Sequence, residues 1–200
     1  MMSAPTTRLL LVLAAFLAGL GTLFAILLLV VRPETAAMAP SAAAIGGPFR
    51  LIDQNGQAVT DRDFKGEPYL VFFGFTHCPD VCPTTLMELS DVLDKLGPDA
   101  ARIGALFITV DPERDTPAEL KDYLSSFNPR FKALTGDAAA IAQVAKSYRV
   151  YMKKVPLDNG DYTMDHTALV YLMDKNGKFV APFNLKRRPE DAAADLRRYL

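Results

Sequence analysis

Few side chains in this 200-residue sequence can carry chemistry: it holds two cysteines and two histidines. Cys78 and Cys82 lie in THCPDVCP, a polar turn between an apolar run, Leu70 to Phe75, and an amphipathic stretch. That pattern reads as a buried strand feeding a helix, with two thiols at the join. A helix beginning near Cys78 would put residues four apart on one face, one turn above the other. Its free N–H groups and dipole would favour thiolate over thiol, and cysteine pKa values at such places fall to about 3.5–7.5. A thiolate is the form that binds metal and the form that attacks disulfides. The spacing is Cys-x-x-x-Cys, one residue longer than the redox motif Cys-x-x-Cys. The extra residue lets the sulfurs spread around a metal ion while still permitting a Cys78–Cys82 disulfide.

His166 lies in YTMDHTALVYLM, at the mouth of an apolar strand run from Ala168. There it could present an imidazole to the cysteine turn, with Asp165 or a backbone carbonyl fixing its tautomer. Taken alone, that stretch reads first as a satisfied surface or core histidine. His77 sits at the strand end, in a structural or electrostatic role. Two thiolates and one imidazole would make a Cys2His set. Soft sulfur ligands favour copper(I), and Cys/His mixtures hold copper or zinc. Structural zinc takes four protein ligands, and no third cysteine or histidine exists to close such a site. An open three-ligand site suits copper that must be passed on, or catalytic zinc with water in the fourth place. Met164 is either a weak axial ligand or, more ordinarily, apolar filling.

The elements that must position these groups follow in order. Phe49 to Ile52 is a short strand, turned back at Asn55-Gly56. Leu70 to Phe75 is continuously apolar, as expected of a strand covered on both faces. Leu86, Leu89, Val92, Leu93 and Leu96 form one helical stripe, with Pro83 in its first turn and Gly97-Pro98 as its stop. Ile103 to Val110 is a second buried strand. Thr116, Pro117 and Glu119 open a helix as cap, first residue and capping-box partner. Phe131 to Leu134 is a strand, and Asp137 caps a helix carrying Ile141, Val144, Ala145 and Tyr148. Val150 to Asp161 has no clear structure, and that length predicts a functional loop. Tyr162 to Met173 and Phe179 to Pro182 bracket a hairpin at Asn176-Gly177. Pro189 to Leu200 is the final helix. The order predicts an α/β fold, a mixed sheet with helices on both faces.

Half the residues are hydrophobic, unevenly spread. Residues 9–31 carry no charge and would make a helix about 35 Å long, enough for a hydrocarbon core of about 30 Å. The apolar region of a cleaved signal peptide is shorter, about 7–15 residues, so a retained single-span anchor is expected. A short tail, 1–8, precedes it. Residues 32–48, rich in Ala and Pro, read as a linker, and residues 49–200 as one domain. The large domain after a short tail fits export of that domain. Net charge is −1, more acidic beyond the apolar run, which speaks against nucleic acid as a partner. Two close cysteines in an exported domain are either redox-active or metal-binding.

GFTHCPDVCP at 74–83, VDPERDTP at 110–117, YRVY at 148–151 and DHT at 165–167 together resemble the Sco (SenC) family. The resemblance covers Phe49 to Leu200, and a short anchor before the domain is also like that family. It implies a thioredoxin-like fold and a membrane-anchored copper protein that helps assemble the dinuclear copper site of cytochrome c oxidase. Carried over by motif, the copper ligands would be Cys78, Cys82 and His166, holding one ion as Cu(I) or Cu(II). Asp80 and Asp111 become candidates for supporting the ligands or recognising a partner, beside plain helix capping and turn formation. The partners implied are the copper-accepting subunit of the oxidase, and other copper chaperones or thiol oxidoreductases. The domain would sit on the exported side of the membrane, periplasmic in bacteria. The rival reading is a thiol-disulfide oxidoreductase that reduces the cysteines of the oxidase copper site or of another exported partner, with Cys78 attacking and Cys82 resolving. A peroxide-scavenging or redox-signalling domain of the same fold is a third.

Overall fold

The structure, a computed structural model, describes residues 14, 16–24 and 45–200. The chain divides into two units, Met1–Ala42 and Ala43–Leu200. In the first, a helix, α1, is described over residues 16–24, with Phe16, Leu17, Leu20, Leu23 and Phe24 exposed. Among the described residues no helix is long and apolar enough to cross a membrane. The rest of the apolar run over 9–31, and most of the linker over 32–48, lie outside the described residues.

The second unit is built on a seven-stranded sheet in the order β2-β1-β5-β4-β3-β8-β9. Its centre is β3 (Tyr69–Gly74), every residue of which is buried, the outcome expected of an uninterrupted apolar run. β3 pairs in parallel with β4 (Gly104–Thr109), and β4 in parallel with β5 (Phe131–Thr135). On one flank β1 (Arg50–Asp53) runs antiparallel to β5 and to β2 (Ala58–Thr60). On the other, β8 (Val170–Met173) runs antiparallel to β3 and to β9 (Phe179–Pro182). The sheet is therefore mixed, with a parallel centre and antiparallel edges, in a thioredoxin-like α/β arrangement.

Helix α2 (Val81–Leu96) returns β3 to β4 and buries the whole stripe Leu86, Leu89, Val92, Leu93 and Leu96. Removing each such side chain from water contributes about 1.5–3 kcal/mol before entropic costs. Gly97, at φ 58, ends the helix in a conformation that a Cβ would oppose. α3 (Pro117–Leu124) starts as its sequence dictates, with the Thr116 hydroxyl accepting from Glu119 N–H at 3.2 Å. α4 (Ala138–Ser147) is capped by Asp137, which accepts from Ala140 N–H at 2.7 Å. α5 (Pro189–Leu196) packs against α2 and passes into a 3-10 turn ending at Tyr199. The domain's first described residues run beside Met173 and the Gly177 turn, where Gly46 N–H donates to Ser147 O at 2.9 Å.

Three expectations need correction. α2 starts at Val81, not near Cys78. Pro79 disfavours helical backbone at the residue before it, so Cys78 stays outside the helix. Val150 to Asp161 is not an unstructured loop: β6 (Met152–Pro156) pairs antiparallel with β7 (Tyr162–His166) as a separate two-stranded sheet. Its sequence, MKKVP, is largely exposed and carries little hydrophobic signal. Tyr162 to Met173 is accordingly two strands in two sheets, broken over 167–169.

Candidate metal centre

The cysteine turn begins where β3 leaves the sheet. A Cβ on Gly74 would stand 2.9 Å from Cys82 Sγ and 2.7 Å from a Phe107 ring carbon, so only glycine lets that sulfur come so close to the strand. Cys78 N–H then donates to Phe75 O at 3.3 Å. Asp80 holds the cap position of α2 without a side-chain cap bond. The second helical residue, Cys82, instead donates its N–H to Cys78 Sγ at 3.4 Å. A sulfur thus takes the place of the usual capping oxygen, and the helix N-terminus favours its negative charge.

Both cysteines are free thiols in the structure, Cys78 half-buried and Cys82 fully buried. The hydrogen bond from the Cys82 thiol is the largest influence on Cys78. With lesser bonds from the Asp80 and Cys82 amides, it outweighs partial burial and lowers the Cys78 pKa to about 4. Donating that bond, and burial, push the Cys82 thiol far up. The pair therefore shares one proton at neutral pH, with the charge on Cys78 and the hydrogen on Cys82.

His166 ends β7 and reaches the same place from the other side. Its Nε2 lies 3.7 Å from Cys82 Sγ. Its Nδ1 lies 3.1 Å from the Thr167 carbonyl, which can only accept, so Nδ1 carries the hydrogen. The Nε2 lone pair is left facing the sulfurs, as a metal ligand requires. The ring sits edge-on to Phe75 and Phe72, with centroids 5.8 Å and 6.4 Å away. Of the two groups expected to fix the tautomer, the backbone carbonyl does so; Asp165 is exposed on the opposite face of β7.

The remaining candidates part company. His77 is exposed, its Nδ1 3.0 Å from the Thr76 hydroxyl. Met164 packs against the hydrophobic core. Asp80 is exposed beside the cysteines. Asp111 is buried, yet it neither caps nor merely turns the chain: it receives Arg114 Nε and, at 2.9 Å, the Tyr162 hydroxyl.

Sequence reading missed the groups that hold the two arms. Asp115, fully buried, accepts from the Thr76 hydroxyl at 2.7 Å and from the Thr109 hydroxyl at 2.6 Å, and so fixes the start of the cysteine turn. Burial raises its pKa against these bonds. Arg114 lies over the Tyr162 ring at 3.7 Å and donates Nη1 to the Tyr162 carbonyl at 3.0 Å and to Asp161 at 3.3 Å. The available signal was DPERD itself. Alternating charges directly after a buried strand, outside any helical period, are poor surface filling and good cross-links.

Among the described residues, no three or more His, Cys, Asp or Glu side chains are already grouped to hold a metal ion. Cys82 and His166 nonetheless stand at the spacing of two ligands on one ion, about 3.5 Å for bonds of about 2.3 and 2.0 Å. Cys78 Sγ accepts the Cys82 amide at 3.4 Å, which sets the second sulfur beside the first. Two sulfurs and an imidazole with its lone pair free suit copper(I) or zinc.

The SCO1/SenC family profile matches residues 37–200. The SCO2-like protein of Rickettsia prowazekii is 39% identical over 180 residues, covering 87% of this chain and 88% of its own. The copper-bound structure of ScoI from Bradyrhizobium japonicum is 68% identical and superposes with a TM-score of 0.77, covering 78% of this chain and 100% of that one. BsSco, a member of the Sco family of cytochrome c oxidase assembly proteins with an identified disulfide switch, is 27% identical, with a TM-score of 0.60 over 78% of this chain and 93% of that one.

Proposed function

This chain belongs to the SCO1/SenC family, and on that footing we propose that it is a membrane-anchored copper carrier for cytochrome c oxidase assembly. Cys78, Cys82 and His166 take one copper ion and pass it to the copper-accepting subunit of the oxidase. The observation that carries the reading is the approach of His166 Nε2 to Cys82 Sγ, 3.7 Å apart across 84 positions of sequence. Copper bound in a close relative supports the choice of metal. Copper supplies the cargo; the chain's own groups supply its release. The thiolate of Cys78 is half-exposed at the rim, and an incoming partner thiolate can add there before His166 and then Cys82 let go. Residues 9–31 hold the domain on the exported side, periplasmic in bacteria.

Copper(II) titration of the reduced full-length chain in detergent tests this, followed by sulfur-to-copper charge-transfer absorption. His166→Ala should weaken binding by at least about 100-fold, the upper end of what losing only an outer partner costs. It should leave alkylation of Cys78 unchanged. Unaltered copper binding in that variant sinks the reading.

The second reading, a thiol-disulfide reductase, is favoured by the asymmetry of the thiols. Cys78 is the charged, accessible one, with its pKa lowered to about 4, and Cys82 the buried, protonated one. Cys78 would attack one sulfur of a partner disulfide, forming a mixed disulfide and releasing the other as thiolate. Cys82 would give its proton to that thiolate and attack Cys78 Sγ. The Cys78–Cys82 disulfide forms, and the partner leaves with two electrons as one thiol and one thiolate, the latter taking its proton from water. BsSco, with its disulfide switch, is a relative that fits. The readings are compatible, since acceptor cysteines must be reduced before they take copper.

A further inference from the structure

The strand β7 carries two side chains with unrelated partners on one face, Tyr162 and His166, four residues apart. Strand periodicity puts both on that face with Met164 between them, about 13 Å apart along the backbone. His166 points to the sulfurs. Tyr162 points into a closed ring of contacts with Asp111 and Arg114. Its hydroxyl donates to Asp111 Oδ1 at 2.9 Å, Arg114 Nε donates to Asp111 Oδ2, and the Arg114 guanidinium lies 3.7 Å from the Tyr162 ring centre. The Tyr162 carbonyl takes a further bond from Arg114 Nη1 at 3.0 Å. Lys154, across the hairpin, reaches the same ring at 3.8 Å and pairs with Glu113 at 2.7 Å. Every group on the core side of this contact comes from 111–114, in the loop between β4 and α3.

The β6–β7 sheet shares no strand pairing with the seven-stranded sheet. Its two arms are joined to each other at the base by Tyr151 and Thr167, whose bonds are both 3.0 Å. The ring around Arg114 ties the hairpin to the β4–α3 loop. A second path runs through packing: Arg114 lies 5.9 Å from the Phe75 ring centre, and Phe75 lies edge-on to His166 at 5.8 Å. One nitrogen of the guanidinium, Nη2, is buried without a hydrogen-bond partner. Planar stacking, charge and a fork of donors are used together here, and lysine supplies only the charge.

We propose that Arg114 is a positioning residue for His166: locked on Asp111 and Tyr162, it sets the hairpin so that the imidazole meets the two thiols, and its release withdraws the histidine during copper transfer. This rests on His166 being a copper ligand, as proposed above.

The test is a double-mutant cycle on the reduced full-length chain, titrated with copper(II), with Cys78 alkylation as a parallel readout. Arg114→Ala should weaken copper binding about 10- to 100-fold, the range for loss of a residue that orients a ligand. It should move the charge-transfer band in the direction seen for His166→Ala. In the His166→Ala background it should add nothing, because its effect passes through that side chain. Cys78 alkylation should stay within about twofold, since the guanidinium makes no hydrogen bond to either cysteine and the Cys78 thiolate keeps its bond from the Cys82 amide. Arg114→Lys should lose most of the affinity that Arg114→Ala loses. Tyr162→Phe, keeping the ring but losing one bond, should fall between it and the parent. If Arg114→Ala does not fold, those two variants carry the same comparison. Unchanged affinity in Arg114→Lys and Tyr162→Phe, or a loss undiminished in the His166→Ala background, overturns the proposal. Failure of His166→Ala itself to weaken copper would overturn the ligand assignment instead, so the two failures are told apart.

Discussion

The Asp115 carboxylate accepts hydrogen bonds from both the hydroxyl and the amide of Thr76, at 2.7 Å and 3.2 Å. It ties the β4–α3 loop to the residue where the cysteine turn starts. Its neighbour Arg114 faces the other way, to the histidine hairpin. Two consecutive residues thus hold the two halves of the site apart at one separation.

Replacing Asp115 by Ala leaves the buried Thr109 hydroxyl and the Thr76 amide and hydroxyl without their acceptor. The loss expected is about 2–4 kcal/mol of unfolding free energy in urea. Asp115→Asn keeps one oxygen as an acceptor and should cost less than half as much. Equal stability in all three chains would contradict the assignment of this carboxylate as the anchor of the turn.

Gly74→Ala is a packing test of the same turn. The added carbon would have to displace Cys82 Sγ or the Phe107 ring, from 2.9 Å and 2.7 Å respectively. Overpacking of this kind costs about 1–3 kcal/mol. In a Cys78→Ser background, iodoacetamide should modify the fully buried Cys82 thiol slowly, and faster once Gly74→Ala is added. A variant as stable as the parent, with Cys82 still protected, would show that the strand end yields more easily than the contacts imply.

The thiolate of Cys78 gives a pH signature. Its folded pKa is about 4, against about 8.5 in an unfolded chain. Between those values the unfolded chain binds more protons, so stability should rise with pH from about 4 to about 8.5 and be lost on acidification. Cys82, shifted upward, acts in the opposite sense at higher pH: the unfolded chain gives up that proton first, and stability falls. The difference in melting temperature between the reduced parent and Cys78→Ser should therefore widen from about pH 4.5 to pH 8. Iodoacetamide should modify Cys78 at a nearly constant rate across the same range. A rate climbing with a midpoint near 8.5 would refute the lowered pKa.

Oxidation should switch copper binding off. Treatment with diamide should close Cys78 to Cys82, removing both sulfur donors at once. Copper(II) should then give no charge-transfer absorption until dithiothreitol is added. Mass spectrometry of the alkylated chain reports the disulfide independently. A disulfide-closed chain that still gives the band would sink the two-thiolate site.

Much of this was legible in the residues. Periodicity located β3, α2, β4 and β5 because their apolar positions are buried without exception or nearly so. Thr116 and Asp137 announced their helices because capping is local chemistry. The β6–β7 hairpin escaped because an exposed ribbon leaves no burial pattern, and Lys153 and Lys154 look like loop. Cys78 and Cys82 could be paired from spacing alone. His166 could not, because its approach to Cys82 depends on tertiary contacts. Arg114 and Asp115 were visible only as charges, since a charged side chain does not say whether water or a neighbour will satisfy it.

The path of the chain into the domain has a mechanical consequence. Gly46 enters beside Met173 and Gly177, and the strand partner of Met173 is Tyr69, the first residue of β3. The thiols stand past the last residue, Gly74, roughly 17 Å further along. Gly46 and the two sulfurs therefore stand at opposite ends of β3, which separates strain at the chain's entry into the domain from the geometry of the thiols.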